Sequence, residues 1–188
     1  MKKFGLVLFL FLLTPGIALA FYKPSRVFVP GAFGLVCLKQ NICLEDEEKV
    51  DVAERLVRSS IEDLRRKYSL VIDQPKVIFC SSEKCKNYFG LGRRAAYTLG
   101  TFGIVISPCA WQSHYLKHEL IHYWQAKKFG NLALLTGEKW VIEGMAYSLS
   151  DDPREHLSEP FESYRREFRN WYKTVQTDSI ASAIKQEL

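Results

Sequence analysis

Residues 102–130 read FGIVISPCAWQSHYLKHELIHYWQAKKFG, and the fold follows from how this stretch divides. Phe102 to Ser107 is an apolar, β-branched run that Pro108 stops. Ser113 then offers an N-cap to a helix running to Phe129, with Gly130 at its C-terminal end. Leu120, Ile121, Tyr123 and Trp124 make that helix largely apolar, so it is expected to be buried. Working outward, a loop through Leu135 leads to a helix from Lys139 to Leu149, ended by Asp151-Asp152-Pro153. Another helix starts at Ser158 and Pro160, with Phe161, Tyr164, Phe168, Trp171 or Tyr172, and Val175 at helical spacing. Upstream, Ala95 to Ser107 reads as a hairpin around Gly100 and Gly103, and Glu83 to Phe89 as a short helix. Ser69 to Cys80 reads as a strand in which Pro75 implies an edge or a bulge. Val50, Ala53, Val57, Ile61, Leu64 and Tyr68 mark an amphipathic helix from Glu47 to about Tyr68. Tyr22 to Cys43 reads as an extended arm. The expected class is α+β: a small mixed sheet packed on the 113–129 helix and on further C-terminal helices.

The 188 residues carry 26 Lys plus Arg against 21 Asp plus Glu, with 47% hydrophobic and 25% charged residues. Those proportions exclude a disordered tail, a collagen-like repeat and a multi-pass membrane protein. The first twenty residues stand apart. Met1-Lys2-Lys3 is positive, Phe4 to Leu13 is apolar, Thr14-Pro15-Gly16 breaks the run, and Ala18-Leu19-Ala20 supplies small residues, the layout of a secretory signal peptide. The run is shorter than the ~20 residues a spanning helix needs. Residues 1–20 are therefore expected to be removed after Ala20, and a membrane is involved only if this segment stays uncleaved. That leaves an extended arm over 21–45 and a folded domain over 46–188, in a secreted or periplasmic protein.

Five cysteines suit an oxidising compartment. Cys37 with Cys43 and Cys80 with Cys85 make two possible local bridges that leave Cys109 over, and Cys80 with Cys109 is an open alternative. Without a CxxC pair, a structural zinc knuckle is not expected. Basic residues lie among acids, as in Glu62-Asp63-Leu64-Arg65-Arg66-Lys67 and Tyr164-Arg165-Arg166-Glu167. These read as solvated helix faces, and no basic stripe points to nucleic acid.

His118-Glu119-Leu120-Ile121-His122 is the informative constellation. Residues four apart stand one above the other on a helix, so both imidazoles reach one metal ion. Glu119 lies about 100° round the helix, beside the ion and free to handle a water. With 4 His and 14 Glu in the sequence, roughly 0.006 such matches are expected by chance. Catalytic zinc takes three protein ligands plus water. Trp140-Val141-Ile142-Glu143-Gly144-Met145-Ala146 offers the third, because Glu143 interrupts an apolar stretch on the next helix. Small Gly144 and Ala146 are expected to let the two helices approach. His114 shares the stripe but lies about 12 Å from His122, too far to complete the same site.

HELIHYWQ followed by WVIEGMAY resembles the gluzincin branch of zinc metallopeptidases, over roughly a quarter of the sequence. The resemblance implies a zincin-like metallopeptidase domain in minimal form over 46–188. It implies His118, His122 and Glu143 as ligands of Zn2+, with Glu119 as general base and acid. The implied reaction is hydrolysis of a protein or peptide substrate by a zinc-bound water that Glu119 activates. It also implies that the strand from Phe102 to Ser107 is the sheet edge that pairs with substrate. Lys117 and Tyr147 depart from the family's usual context, which leaves the group that orients the imidazoles unassigned. A second oxyanion donor is expected from Tyr147, Tyr164, Tyr172 or His156, with Tyr164 preferred. Two other readings are a catalytically inactive zincin-like binding or assembly module of the cell envelope and, on aromatic content and export only, an envelope adhesin. Cys37 could also cap the metal in a latent form, but a disulfide with Cys43 is the preferred reading.

Overall fold

Five strands of three residues each, Val36–Leu38 (β1), Ile42–Leu44 (β2), Val77–Phe79 (β3), Ala96–Thr98 (β4) and Ile104–Ile106 (β5), form one sheet in the order β1-β2-β3-β5-β4. β2, β3 and β5 run parallel, and the antiparallel strands β1 and β4 close the two edges. The computed structural model describes residues 21–38, 41–175, 180–185 and 187–188; the expected signal segment, 1–20, lies outside the described residues. Every residue of β2, β3 and β5 is buried because both faces of the sheet are covered. Ile42, Leu44, Val77, Phe79, Ile104 and Ile106 face the main core, whereas Cys43, Ile78 and Val105 face a second, smaller one.

The helices are Val50–Tyr68 (α1), Glu83–Tyr88 (α2), Ser113–Phe129 (α3), Asn131–Thr136 (α4), Lys139–Leu149 (α5), Phe161–Tyr172 (α6) and Ile180–Ile184 (α7). The class is α+β, with a small mixed sheet and several helices. α1 contributes Ala53, Val57 and Leu64 to the main core, and α3 contributes Leu116, Leu120 and Ile121. α3 is buried on nearly all sides from Leu116 to Ala126, as its composition implied. Among the described residues, no helix is long and apolar enough to cross a membrane.

The structure corrects several expectations. Residues 21–38 and 41–45 are part of the fold: two 3-10 turns, Lys23–Phe28 and Pro30–Phe33, lead into β1, which pairs antiparallel with β2. Val27 and Leu35 pack in the smaller core. Only Val77–Phe79 of the 69–80 segment is strand, and part of the expected loop before Leu135 belongs to α4. Ser113 is the first helical residue, preceded by Gln112 at the cap, and its hydroxyl lies 3.4 Å from that of Ser60. Gly144 does serve close approach, but to α6: a Cβ there would meet the Tyr164 carbonyl oxygen at 2.4 Å. The sulfurs of Cys37 and Cys43, and of Cys80 and Cys85, lie at 2.08 and 1.97 Å. Cys109 is the free cysteine, so neither its pairing with Cys80 nor a metal cap from Cys37 is present.

Two charged residues from the expected solvated faces are structural. Arg165 is 2% exposed, and its guanidinium donates to the carbonyls of Arg154 (2.9 Å) and Glu155 (2.7 Å), holding the 153–160 connection against α6. On α1, Asp63 meets Lys117, the residue that precedes His118. Lys117 is 4% exposed and donates to Asp63 at 2.7 Å and to Asp151 at 2.6 Å, tying α3 to α1 and to the end of α5. The lysine holds the Asp63 carboxyl below its ordinary value. Burial pushes Asp151 up, but Lys117 and Lys67 outweigh it and bring it down. Groups with depressed folded values stabilise above the ordinary carboxylate range and lose that contribution as pH falls through the folded values. Lys117→Met is expected to destabilise by about 1–3 kcal/mol at neutral pH, since both aspartates keep some contact with water. Urea unfolding at neutral pH and below pH ~4 checks it: the gap between wild type and variant should narrow in acid. An unchanged gap would place the stabilisation elsewhere.

Candidate metal centre

α3 carries His118 and His122 on one face, one turn apart, with ring centroids 4.7 Å apart. α5 crosses that face and presents Glu143. The two Nε2 atoms are 3.1 Å apart, and Glu143 Oε2 lies 3.6 Å from each. A triangle with those sides has a circumradius of about 2.0 Å, the bond length of zinc to imidazole or carboxylate. All three ligand atoms lie within 4.8 Å of one another. The three residues picked from the sequence thus converge, and the donor set of two nitrogens and one oxygen fits a borderline divalent cation.

The environment calls for positive charge at this point. Burial raises the Glu143 carboxyl, but the two imidazoles outweigh it and hold it far below the carboxylate range. Burial opposes a charge on His122, but Glu143 overcomes that and raises the imidazole to about 9.

Orientation of His122 comes from a residue that sequence reasoning did not assign. Gln125, fully buried and three residues on, accepts at Oε1 from His122 Nδ1 at 2.9 Å. That contact fixes the tautomer and leaves Nε2 free for a cation. The Gln125 amide nitrogen donates to the Ile142 carbonyl at 3.1 Å, so this one residue sets His122 and the backbone beside Glu143 together. The signal lay in the HELIHYWQ stretch as a polar residue among buried ones. Gln125→Leu is expected to weaken zinc affinity about 10-fold or more, measured by competition with a chelator, with Gln125→Glu recovering part of it. Equal affinities would remove Gln125 from the site. His118 is held differently, in a T-shaped contact with the Tyr147 ring at 4.4 Å between centroids.

Glu119 is 7% exposed and points toward the same cleft. The Thr98 hydroxyl on β4 reaches both its Oε2 at 2.7 Å and its backbone carbonyl at 2.9 Å, sharing one proton between them, which ties Glu119 to the sheet edge. That edge is Ala96–Thr98, not the 102–107 run, because β5 lies between β3 and β4. Ser107 N–H donates to the Ala95 carbonyl and Leu99 N–H to the Gly103 carbonyl. By antiparallel alternation, Ala96 and Thr98 turn their backbone groups away from β5 toward the open side.

A cavity of 610 Å³ opens over the site between β4, α3 and the 152–161 segment. His114 and Tyr147 line it, whereas Tyr164, Tyr172 and His156 do not. Tyr164 packs its ring on Phe161 instead, and His156 is exposed. Burial holds His114 below its ordinary value. The protein matches no protein-family model, and neither a curated protein nor a solved structure matches it significantly.

Proposed function

We propose that this protein is an exported zinc-dependent peptidase, a minimal zincin-like domain that hydrolyses peptide bonds. The observation that carries the reading is the triangle of His118, His122 and Glu143, with an unspent carboxylate, Glu119, on its rim and an open strand edge alongside. A zinc ion held by those three ligands would supply a Lewis acid that acidifies a water and polarises a carbonyl.

The protein's own residues do the rest. Ala96 and Thr98 offer backbone donors and acceptors to an extended peptide lying along β4. Thr98 occupies one oxygen of Glu119 and leaves the other to take a proton from water and pass it to the leaving amine. Gln125 keeps the His122 Nε2 lone pair free for the ion it would hold, and Tyr147 packs its ring against His118. Export is supported by the two cysteine pairs at disulfide distance, which suit an extracellular location, and by the signal-like first twenty residues.

The test is elemental analysis of the purified mature protein together with cleavage of a broad peptide library, with and without a chelator. One zinc per molecule and chelator-sensitive cleavage are expected. Bound zinc with no cleavage would leave the binding-module reading in its place, and a protein that takes up no zinc would end both.

A further inference from the structure

The cavity over the metal centre continues past it. A second one of 360 Å³ shares Thr98, His122 and Glu143 with the first, so the two meet at the site. Their linings differ in kind. Beyond the C-terminal end of β4, the second is walled by Leu99, Phe102, Leu134, Leu135 and Ile142. Leu135 is 75% exposed and Phe102 48%, so this end of the cleft offers a substrate apolar side chains that are still open to water. Before the N-terminal end of β4, the first cavity carries Arg93, Arg94 and Arg154 against Asp152. Arg94 is fixed there, with Nη2 donating to the Gly90 carbonyl at 3.2 Å and its guanidinium over the Tyr97 ring at 5.1 Å. Arg154 pairs with Asp152 and lies over the Tyr147 ring at 5.7 Å. Arg93 is exposed and makes no hydrogen bond among the described residues. The cation would face Glu119 and Glu143, so this end of the cleft keeps an excess of positive charge.

The strand direction orders these two ends. Antiparallel pairing is the slightly more stable arrangement per residue, and a peptide paired so with β4 runs from the Leu99 side toward the Arg93 side. We infer that the cleft takes a peptide with an apolar residue before, and an acidic residue after, the bond at the metal centre. This deepens the peptidase reading and rests on it. Arg93 and Arg94 are then specificity residues at one end, and Leu134 and Leu135 at the other.

The experiment uses the zinc-loaded mature protein and three synthetic peptides alike except around one central bond: Leu before and Glu after, Leu before and Lys after, and Glu before and Leu after. Wild type is expected to cleave the first with kcat/KM about 10-fold above the other two. Its margin over the lysine peptide should shrink at high salt, as screening requires. Arg93→Glu, a surface change, should bring the first two peptides close to parity. Equal cleavage of all three would overturn this inference and leave the peptidase reading standing. If wild type cleaves nothing, fluorescence anisotropy with zinc-loaded Glu119→Gln decides. Preference for the Leu–Glu peptide would keep the cleft polarity and overturn hydrolysis, and equal binding would overturn both.

Discussion

Glu119→Gln is expected to keep one zinc per molecule and to lose about 10²–10⁴-fold in kcat. The amide has the shape of the carboxylate, and its oxygen can still accept from Thr98 at the position Oε2 now holds. Fold and metal site should therefore survive. What disappears is a group that accepts a proton from water and returns it to the amine. Peptide cleavage under single-turnover conditions, alongside elemental zinc, separates these effects. A variant that loses zinc as well would mean that Glu119 supports the ligands. A variant that retains full rate would mean that another base acts.

The second large effect is on the metal itself. Glu143→Ala removes one corner of a triangle whose sides are 3.1, 3.6 and 3.6 Å, leaving two imidazoles and no carboxylate. Zinc affinity should fall by at least ~10-fold, since a two-ligand site gives up both a bond and the negative charge that draws the cation. The loss should be visible by chelator competition while far-UV circular dichroism stays the same, because Glu143 is at the cleft surface of α5 and the core beneath it is Val141, Met145 and Ala146. Unchanged affinity would refute Glu143 as a ligand.

The parts of the fold that were legible in the sequence are those with a strong local signal. α1 and α6 announce themselves through apolar residues at helical spacing, α3 through its glycine stop and largely apolar make-up, α5 through an apolar stretch ended by Asp151-Asp152-Pro153, and the three candidate ligands through their place on α3 and α5. The edge of the sheet was misread for a physical reason. Ile104-Val105-Ile106 is the most β-prone run in the sequence, but a continuous apolar run belongs inside a sheet with both faces covered. The true edge, Ala96-Tyr97-Thr98, is short and half-polar, which is how an edge tolerates water. Strands β1 and β2 were hidden because three residues are too few to show alternation, and the prolines and glycines before them read as loop.

Structural charge was illegible for another reason. Asp63 and Arg165 sit in runs whose local pattern matches a solvated face, and Lys117 is a charge on an otherwise largely apolar helix. Only the tertiary arrangement supplies Lys117 with two carboxylates and Arg165 with two carbonyls. Gln125 belongs to the same class, since its value lies in joining His122 on one helix to the Ile142 carbonyl on another.

The central claim is that one cation binds where His118, His122 and Glu143 meet. Zinc K-edge X-ray absorption on the mature, zinc-loaded protein tests it most directly. The account predicts a first shell of nitrogen and oxygen at about 2.0–2.2 Å, with the multiple-scattering signature of two imidazoles, lost on Glu143→Ala with His122→Ala. A sulfur shell near ~2.3 Å, placing the metal at Cys109, or a spectrum indifferent to those substitutions would contradict it.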